Sequence, residues 1–194
     1  ELSLILRNKR HKRGSIDFDF PKAIVILDEN GKPYDIVTKT SNKATRLIEE
    51  FMIVCNETIS EFFTKKNIPF LYRIHEKPSV EKIKQFIEFM NIINQPIKEK
   101  ELTPKNLQRI LEQSKDRREF EQISYIMLRS LSKAKYSDKA KGHFGLANEY
   151  YSHFTSPIRR YPDLQIHRII KEYLHNELTE ARIRHYEKIL SQVA

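Results

Sequence analysis

Two adjacent arginines stand in a short irregular segment of the sequence, HFTSPIRRYPD, at residues 153–163. Pro157 and Pro162 exclude a continuous helix or a central strand across this segment. A guanidinium group can bind a phosphate through two parallel hydrogen bonds, which the ammonium group of lysine cannot do. The pair Arg159 and Arg160 therefore predicts a site for a phosphate-bearing ligand.

The neighbouring side chains fit a chain of nucleotides better than an isolated phosphate. Thr155 and Ser156 add hydroxyl donors, and the segment precedes a predicted helix whose first N–H groups attract anions. Three rings on which bases can stack complete the set: His153, Phe154 and Tyr161. A basic surface loop whose arginines pair with Asp163 or Glu172 is the alternative, and residue types alone leave both open.

The overall charge agrees with a polyanionic partner. The 194 residues carry 35 lysines and arginines against 26 acidic residues, a net charge of +9. Such a field attracts RNA or DNA first and acidic membranes second, although a lysine-rich solvated surface gives the same count. No apolar run approaches the ~20 residues of a membrane span, and no stretch resembles a signal peptide. We therefore expect no membrane partner and a cytoplasmic location.

The single cysteine, Cys55, excludes a disulfide within the chain. It falls on the apolar stripe of a predicted helix, where a small buried hydrophobic side chain is the expected role.

The elements that must position the arginines form an α+β fold. Alternating apolar and acidic residues predict a strand over 16–20, and Asn30-Gly31 supplies two φ > 0 positions for a hairpin between 23–27 and 34–37. Helical spacing predicts the remaining elements: residues 41–67, a helix from Pro78-Ser79, one from Thr103-Pro104, residues 120–134, one capped by Asp163 and one from Thr179. A short strand region is thus followed by a mostly helical remainder.

A long stretch around the arginines resembles a known family. The sequence GHFGLANEYYSHFTSPIRRYPDLQIHRII is similar to the signature of the catalytic domain shared by ribonuclease II and ribonuclease R. Further similar stretches are RGSIDFDFPKAIVILDENGKP, LIEEFMIVCN, FLYRIHEKPS and MLRSLSKAKY, in the family's order. Arg159-Arg160 followed by Tyr161-Pro162 is closer to the ribonuclease R branch.

The resemblance implies a processive, Mg²⁺-dependent 3′→5′ exoribonuclease that acts on single-stranded RNA 3′ ends and releases nucleoside 5′-monophosphates. By position, it implies that Arg159 is the catalytic arginine and that Arg160 holds the RNA backbone. It also implies that Phe18 clamps stacked bases and that Glu49 contacts the terminal nucleotide. Further RNA contacts are expected from His153, Thr155, Ser156, Tyr161 and Arg168.

Three of these residues have structural alternatives that the sequence leaves open. Phe18 fits a core position as well as a clamp, because it alternates with Ile16 and Phe20. Glu49, beside the apolar stripe of its helix, fits a partly exposed surface acid. Arg168 fits a structural ion pair as well as an RNA contact.

The family's closely spaced aspartates are missing from this sequence. Aspartates stand only at positions 17, 19, 28, 35, 116, 138 and 163, and only Asp17 and Asp19 could share a strand face. We therefore expect no metal ligand in this chain. The Mg²⁺ ligands and the other wall of the RNA channel are expected upstream in a longer protein, together with flanking β-barrel RNA-binding domains elsewhere in it.

This expectation divides the chain into two parts. Residues 7–13, RNKRHKR, predict a solvated or disordered basic arm, with phosphate binding as a second role, so residues 1–13 are taken as the arm. Residues 14–194 are taken as the C-terminal portion of the catalytic domain, truncated at both ends. We expect this portion to be inactive alone.

Two other functions remain open at this point. His143 and His153, with Lys141 nearby, could cleave RNA without metal by acid–base catalysis that uses the ribose 2′-hydroxyl as nucleophile. The chain could also be a catalytically inactive module that binds nucleic acid or another protein.

Overall fold

The computed structural model describes residues 1–18, 22–39, 42–97 and 102–194. In these residues it has seven α-helices and two two-stranded antiparallel sheets, which confirms the α+β class. The elements in chain order are α1 (Leu2–Arg13), β1 (Lys22–Leu27), β2 (Pro33–Lys39), α2 (Lys43–Lys65), β3 (Tyr72–Ile74), α3 (Val80–Ile92), α4 (Pro104–Ser114), α5 (Phe120–Ser130), β4 (Lys135–Ser137), α6 (Tyr161–Leu174) and α7 (Glu180–Val193). A 3₁₀ turn at Phe144–Leu146 lies between β4 and α6.

Four helices begin at the capping residues that their sequences contain. The Asn42 side chain accepts a hydrogen bond from the backbone N–H of Thr45 at the start of α2. Ser79, Thr103 and Thr179 cap α3, α4 and α7 in the same way. Each cap satisfies an N–H group that the helix itself leaves unpaired.

The N-terminal basic run is a helix and not a disordered arm, although most of its side chains are exposed to solvent. Residues 7–13 form the second half of α1, which ends at Gly14 with a φ of 104°. Arg10, in the middle of the run, is only 7% exposed and bonds to the buried Glu50 carboxylate of α2. Disorder was wrong because carboxylates of Asp17, Glu50 and Glu57 pair with the three arginines of the run and allow the helix to pack.

The predicted hairpin is confirmed, although its turn differs. β1 pairs antiparallel with β2, with Val25 opposite Ile36. Only Gly31 has a positive φ, of 76°, because the Asp28 carboxylate accepts from the N–H groups of Asn30 and Lys32 and closes a longer loop.

The strand predicted over 16–20 is not formed in its described part. Residues 15–18 run as irregular chain, and residues 19 and 20 lie outside the described residues. The backbone N–H of Ile16 donates to the Gly145 carbonyl. That bond ties the segment to the 3₁₀ turn instead of to a neighbouring strand.

The helix predicted over 120–134 ends early. α5 stops at Ser130, and residues 135–137 form β4, which pairs with β3. Residues 131–134 are irregular chain that leads from α5 into β4, and β4 pairs with a strand some sixty residues earlier. Such a long-range contact overrides local propensity and is invisible to a periodicity argument.

Two apolar clusters hold the described elements together. The first joins α3, α4 and α5, and its buried residues are Ile16, Phe86, Met90, Leu102, Leu107, Ile110, Leu111, Ile123, Met127, Leu131 and Phe144. The second joins α2, β3, α6 and α7, and its buried residues are Phe63, Phe70, Leu71, Tyr72, Ile74, Ile166, Ile169, Tyr186 and Leu190. The arginine segment lies directly before α6 and is therefore supported by the second cluster.

In the part of the chain that the structure describes, no helix has both the length and the apolar character needed to cross a bilayer.

Candidate functional site

The segment that carries the double arginine is tied to the second apolar cluster before it reaches α6. The buried Ser152 hydroxyl donates to the Leu71 carbonyl at 2.6 Å. The backbone N–H of Phe154 donates to the side-chain oxygen of Asn56, which is itself buried on α2. These two bonds position residues 152–154, so the turn that follows starts from a rigid support.

Asp163 then closes the turn, in a role different from the predicted helix cap. It lies in the first turn of α6, whose N-cap position is occupied by Arg160, and it is fully buried. Its Oδ2 accepts from the Ser156 backbone N–H at 2.9 Å and from the Arg160 guanidinium at 2.8 and 3.1 Å. One carboxylate thus fixes residues 156–160 as a bend at the N-terminus of α6, which we call the arginine bend.

The two arginines of this bend have different partners. Arg160 is paired with Asp163, so the ion-pair alternative raised by the sequence is realised for this residue. Arg159 is exposed, and its Nη2 lies 3.5 Å from the Ser156 hydroxyl. Among the described residues no carboxylate pairs with Arg159, which leaves its charge available to a ligand.

The predicted contacts on α6 lie on one side of that helix. Tyr161 is 53% exposed, and its hydroxyl accepts from the Gln165 side chain. The exposed Arg168 donates to the same amide at 3.2 Å, so it contacts a neutral group rather than an acid. Glu172 pairs with Arg182 of α7 and not with the arginine bend.

The remaining predicted residues divide between the bend and the N-terminal half of the chain. Thr155 and Ser156 are half-buried at the start of the bend. Phe18 is half-buried and packs against the first apolar cluster, as its core interpretation requires. Glu49 is an exposed acid on α2. The bend, in contrast, is supported by the second cluster.

His153 belongs to a group of side chains that the sequence analysis missed. Arg73 of β3 is the direct partner of Tyr136 on β4, and its Cζ lies 4.8 Å from the centre of the Tyr136 ring. The Tyr136 hydroxyl lies 2.9 Å from His153 Nδ1. Tyr151, whose carbonyl accepts from the Arg73 N–H, packs edge-on against His153.

Two further imidazoles extend this group. His75 and His143 contact each other edge-on with ring centres 5.0 Å apart. His75 Nδ1 accepts from the Gly145 N–H, and His143 Nδ1 accepts from the Leu146 N–H. An imidazole that accepts through Nδ1 is neutral. We call the whole group the histidine–tyrosine face: Arg73, His75, Tyr136, His143, Tyr151 and His153.

One signal for this face was present in the sequence. Tyr72 and Ile74 are buried, so a period of two places Arg73 on the opposite side of β3. The partner strand β4 was not predicted, and without it Arg73 could not be connected with Tyr136.

Burial keeps the imidazoles of this face neutral. Desolvation lowers the pKa of His143 to about 3, and the nearby His75 and Arg73 add to the effect. Desolvation also lowers the pKa of His153 to about 4, with further contributions from the positive charge of Arg160. At neutral pH both rings are therefore uncharged.

This protonation state argues against cleavage by the two histidines. A general acid must carry a proton near the working pH, and neither His143 nor His153 does so. The Tyr151 ring contacts both imidazoles. Lys141, the third residue of that hypothesis, pairs with Glu76.

The described side chains do not fit a magnesium site. No group of three or more His, Cys, Asp or Glu side chains that could hold a metal ion occurs in residues 1–18, 22–39, 42–97 and 102–194. Asp17 is bound by Arg10 at 2.6 Å and by Arg7 at 3.1 Å, and Asp19 lies outside the described residues. Cys55 is half-buried, and burial raises the pKa of its thiol, as expected for a small packing residue.

Comparison with known proteins gives one consistent family. The model of the RNB domain matches residues 1–176. Ribonuclease R of Aquifex aeolicus is 44% identical over 188 residues, which are 96% of this chain and 26% of that protein. Ribonuclease R of Thermotoga maritima is 43% identical over 198 residues, which cover 100% of this chain and 28% of that protein.

A solved structure agrees over the whole chain. Ribonuclease R of Mycoplasma genitalium, in complex with ribose-methylated single-stranded RNA, is similar with a TM-score of 0.92 and 33% identity. The match covers 100% of this chain and 31% of that one, and the same protein has been solved with double-stranded RNA. This chain thus spans about a quarter to a third of the proteins that it matches. It belongs to the RNB domain family, and its relatives there are ribonuclease R proteins.

Proposed function

We propose that this chain is part of a 3′→5′ exoribonuclease that degrades single-stranded RNA to nucleoside 5′-monophosphates. Relatives named ribonuclease R that are 43–44% identical over nearly the whole chain support this function. The observation that carries it within the structure is the arginine bend. There, an exposed Arg159, which pairs with no carboxylate among the described residues, stands on a turn that the buried carboxylate of Asp163 holds in place.

The bend is suited to a reaction at phosphorus. The charge of a phosphodiester increases on its oxygens during hydrolysis, and a guanidinium that is already in position stabilises the transition state more than the ground state. Apart from one long contact between Nη2 and the Ser156 hydroxyl, the described residues leave the donors of Arg159 available for this role. The rigid bend removes part of the entropy that a flexible side chain would lose on binding.

We assign Arg160 to a contact with the RNA backbone, and its pairing with Asp163 reduces its effective charge. Its Nε and Nη2 are used by Asp163, so its remaining N–H groups are those that can reach a phosphate oxygen. The ion pair orients the guanidinium. It also makes Arg160 a positioning contact rather than a source of net positive charge.

The exposed ring of Tyr161 is the best candidate for base stacking on this side. The ring of Phe154 already stacks on His167, with centres 4.2 Å apart, so one of its faces is occupied. Contacts of RNA with His153, Thr155, Ser156 and Arg168 belong to the same proposal. So do a clamp at Phe18 and a contact between Glu49 and the terminal ribose.

The Mg²⁺ that this reaction requires is proposed to have its ligands elsewhere in a longer protein. We place there also the other wall of the RNA path and the β-barrel RNA-binding domains. On this proposal the 194-residue chain alone, given Mg²⁺ and 5′-labelled RNA, shows no shortening from the 3′ end. Metal-dependent shortening by the chain alone would contradict this division of the site.

The central test is Arg159→Ala in the full-length protein that contains this chain. We expect turnover at saturating RNA to fall by roughly 10²–10³-fold, because a transition-state donor is lost, while the Kd for RNA changes much less. Single-turnover shortening of 5′-labelled RNA measures the first quantity and fluorescence anisotropy the second.

Arg118→Ala is the matched control, since Arg118 is an exposed arginine between α4 and α5. Wild-type turnover in the Arg159 variant would remove the proposed catalytic role. RNA binding without any shortening by the unmodified full-length protein would instead favour an inactive RNA-binding module.

A further inference from the structure

Arg73 stands out as a cation whose charge is not balanced within its surroundings. It is half-buried on β3, and its side chain pairs with no carboxylate in the described part of the chain. Its guanidinium contacts the ring of Tyr136, with Cζ 4.8 Å from the ring centre. The part of the side chain that remains exposed can therefore still bind an anion.

The neighbouring groups increase the excess of positive charge. Arg73, Arg159 and Arg160 are all close enough to His153 to lower the pKa of its imidazole. Asp163 neutralises one of the three arginines. The three histidines of the histidine–tyrosine face are neutral, so they neither add to this charge nor compensate it.

The fold holds Arg73 in a prepared position. Its backbone N–H donates to the Tyr151 carbonyl, and its strand is paired with β4 on the other side. The Tyr136 ring supports the guanidinium. The hydroxyl of that ring bonds to His153, which lies three residues before the arginine bend begins. A cation fixed on a sheet loses little entropy when an anion binds, in contrast to a flexible surface lysine.

We propose that Arg73 is a third RNA-binding arginine, whose guanidinium binds a backbone phosphate of the same single strand that the arginine bend contacts. This inference rests on the proposed function, because it takes the anion to be RNA. The Tyr136–His153 pair separates the guanidinium of Arg73 on β3 from those of the arginine bend. This spacing suits successive phosphates of one strand. The neutral rings between them offer uncharged surface to the intervening sugar or base.

The test is the salt dependence of RNA binding by the full-length protein. Removing one phosphate contact lowers the slope of log K against log [salt] by about 0.7 for a single strand. We therefore expect Arg73→Gln to weaken binding at low salt by roughly five- to tenfold and to lower the slope by about this amount. Turnover at saturating RNA should stay within about threefold, because the residue binds substrate and transition state alike.

Arg129→Gln is the matched control. Arg129 also lies over a tyrosine ring, with its Cζ 5.7 Å from the centre of Tyr125, and it donates a hydrogen bond to that tyrosine's hydroxyl. It is exposed on α5, which packs in the first apolar cluster. The slope and the Kd should be unchanged in this variant, so an effect confined to Arg73 cannot be attributed to the loss of any arginine–tyrosine contact.

A conservative variant keeps the proposal testable if Arg73→Gln folds poorly. Arg73→Lys retains the charge but loses the planar donors, so we expect the salt slope to stay and the Kd to rise by roughly two- to fivefold. An unchanged slope in a folded Arg73→Gln would overturn the inference, and if that variant does not fold, an unchanged Kd in Arg73→Lys would overturn it. If Arg160→Ala still lowers the slope in that case, the proposed function stands; if no arginine variant affects RNA binding, the proposed function itself fails.

Discussion

The two arginine-rich regions of this molecule surround the same residue type with different numbers of acidic partners. On α1, Arg7 pairs with Asp17, Arg10 with Glu50 and Asp17, and Arg13 with Glu57. At the arginine bend, Arg160 has one acid as its partner, and among the described residues Arg159 has none.

The difference shows that basic residues in a sequence do not by themselves locate an anion-binding site. The run at residues 7–13 has the higher density of positive charge, yet carboxylates from α2 and from residue 17 pair with all three of its arginines. The bend has fewer arginines, but among the described residues one of its two has no carboxylate as a partner. What decides between structure and binding is the number of acids that the fold brings to each guanidinium.

Burial separates the two regions further. Arg10 is 7% exposed and Glu50 only 2%, so their ion pair joins α1 to α2 inside the molecule. Burial of the guanidinium alone would lower the pKa of Arg10, but the carboxylates of Glu50 and Asp17 raise it above its usual value. Arg159, in contrast, is in contact with solvent, where a ligand can reach it.

The largest effect on stability is expected when the buried pair is broken. Arg10→Ala should lower the free energy of unfolding by about 3–5 kcal/mol, because Glu50 remains as an unpaired buried charge. Urea denaturation followed by circular dichroism measures this loss.

Arg13→Ala is the control on the same helix. Arg13 forms a partly exposed pair with Glu57, so its removal should cost about 1 kcal/mol or less. Equal losses in the two variants would mean that burial does not separate the pairs, and the contrast between structural and binding arginines would then need another basis.

At the bend we expect a smaller loss of stability, together with an increase in the positive charge that is available to RNA. Asp163→Asn should destabilise the chain by about 2 kcal/mol, because charge-assisted bonds to Arg160 are replaced by weaker ones. It should also make RNA binding by the full-length protein more salt-dependent, since Arg160 then carries its full charge.

The double variant Asp163→Asn with Arg160→Ala checks the origin of both effects. If the ion pair is responsible, the two changes are non-additive, with a coupling of about 1–3 kcal/mol in unfolding. Strict additivity would show that Asp163 acts on the bend only through the Ser156 N–H.

The smallest of the three effects is a dependence of stability on pH. It arises from His143 in the histidine–tyrosine face and not from α1. The pKa of His143 in the folded chain, about 3, lies below its usual value near 6.5. As the pH falls from 7, the His143 imidazole of the unfolded chain therefore binds a proton before that of the folded chain. The contribution of His143 to stability is complete above pH 6.5 and declines as the pH falls toward 3. We expect a loss of about 1–2 kcal/mol between pH 7 and pH 5 from this residue.

His143→Asn isolates that contribution. The Asn side-chain oxygen can still accept from the Leu146 N–H, but the side chain does not titrate. The difference in unfolding free energy between pH 7 and pH 5 should therefore be smaller in the variant than in the original chain. An identical difference would show that the acid sensitivity originates elsewhere.

Much of the fold could be predicted because the relevant signals are local. Asn42, Ser79, Thr103 and Thr179 cap the helices that follow them, and the apolar stripes of those helices pack as their spacing requires. Errors occurred where a distant partner changed the outcome. Strand β4 was not predicted because its reason to form is β3, and α1 was predicted as a solvated or disordered arm because its partners include Glu50 and Glu57.

The residues of the candidate site also divide into those that local signals reveal and those that depend on distant partners. Arg159 and Arg160 could be selected from residue types, from their position before a helix and from a resemblance to a known family. Arg73 could not, because its connection with Tyr136 and His153 depends on the pairing of two strands of three residues each.

Local patterns were thus sufficient for the fold class, for where four of the helices begin and for the choice of the double arginine, since capping and hydrophobic periodicity act within a few residues. Long-range packing assigned each guanidinium its partner: Glu50 to Arg10, Asp163 to Arg160, and the Tyr136 ring to Arg73. The physical reason is that the availability of a charge depends on which opposite charges surround it in space. Neighbours in space are set by the packing of α2, β3, β4 and α6, and the order of residues along the chain does not reveal them.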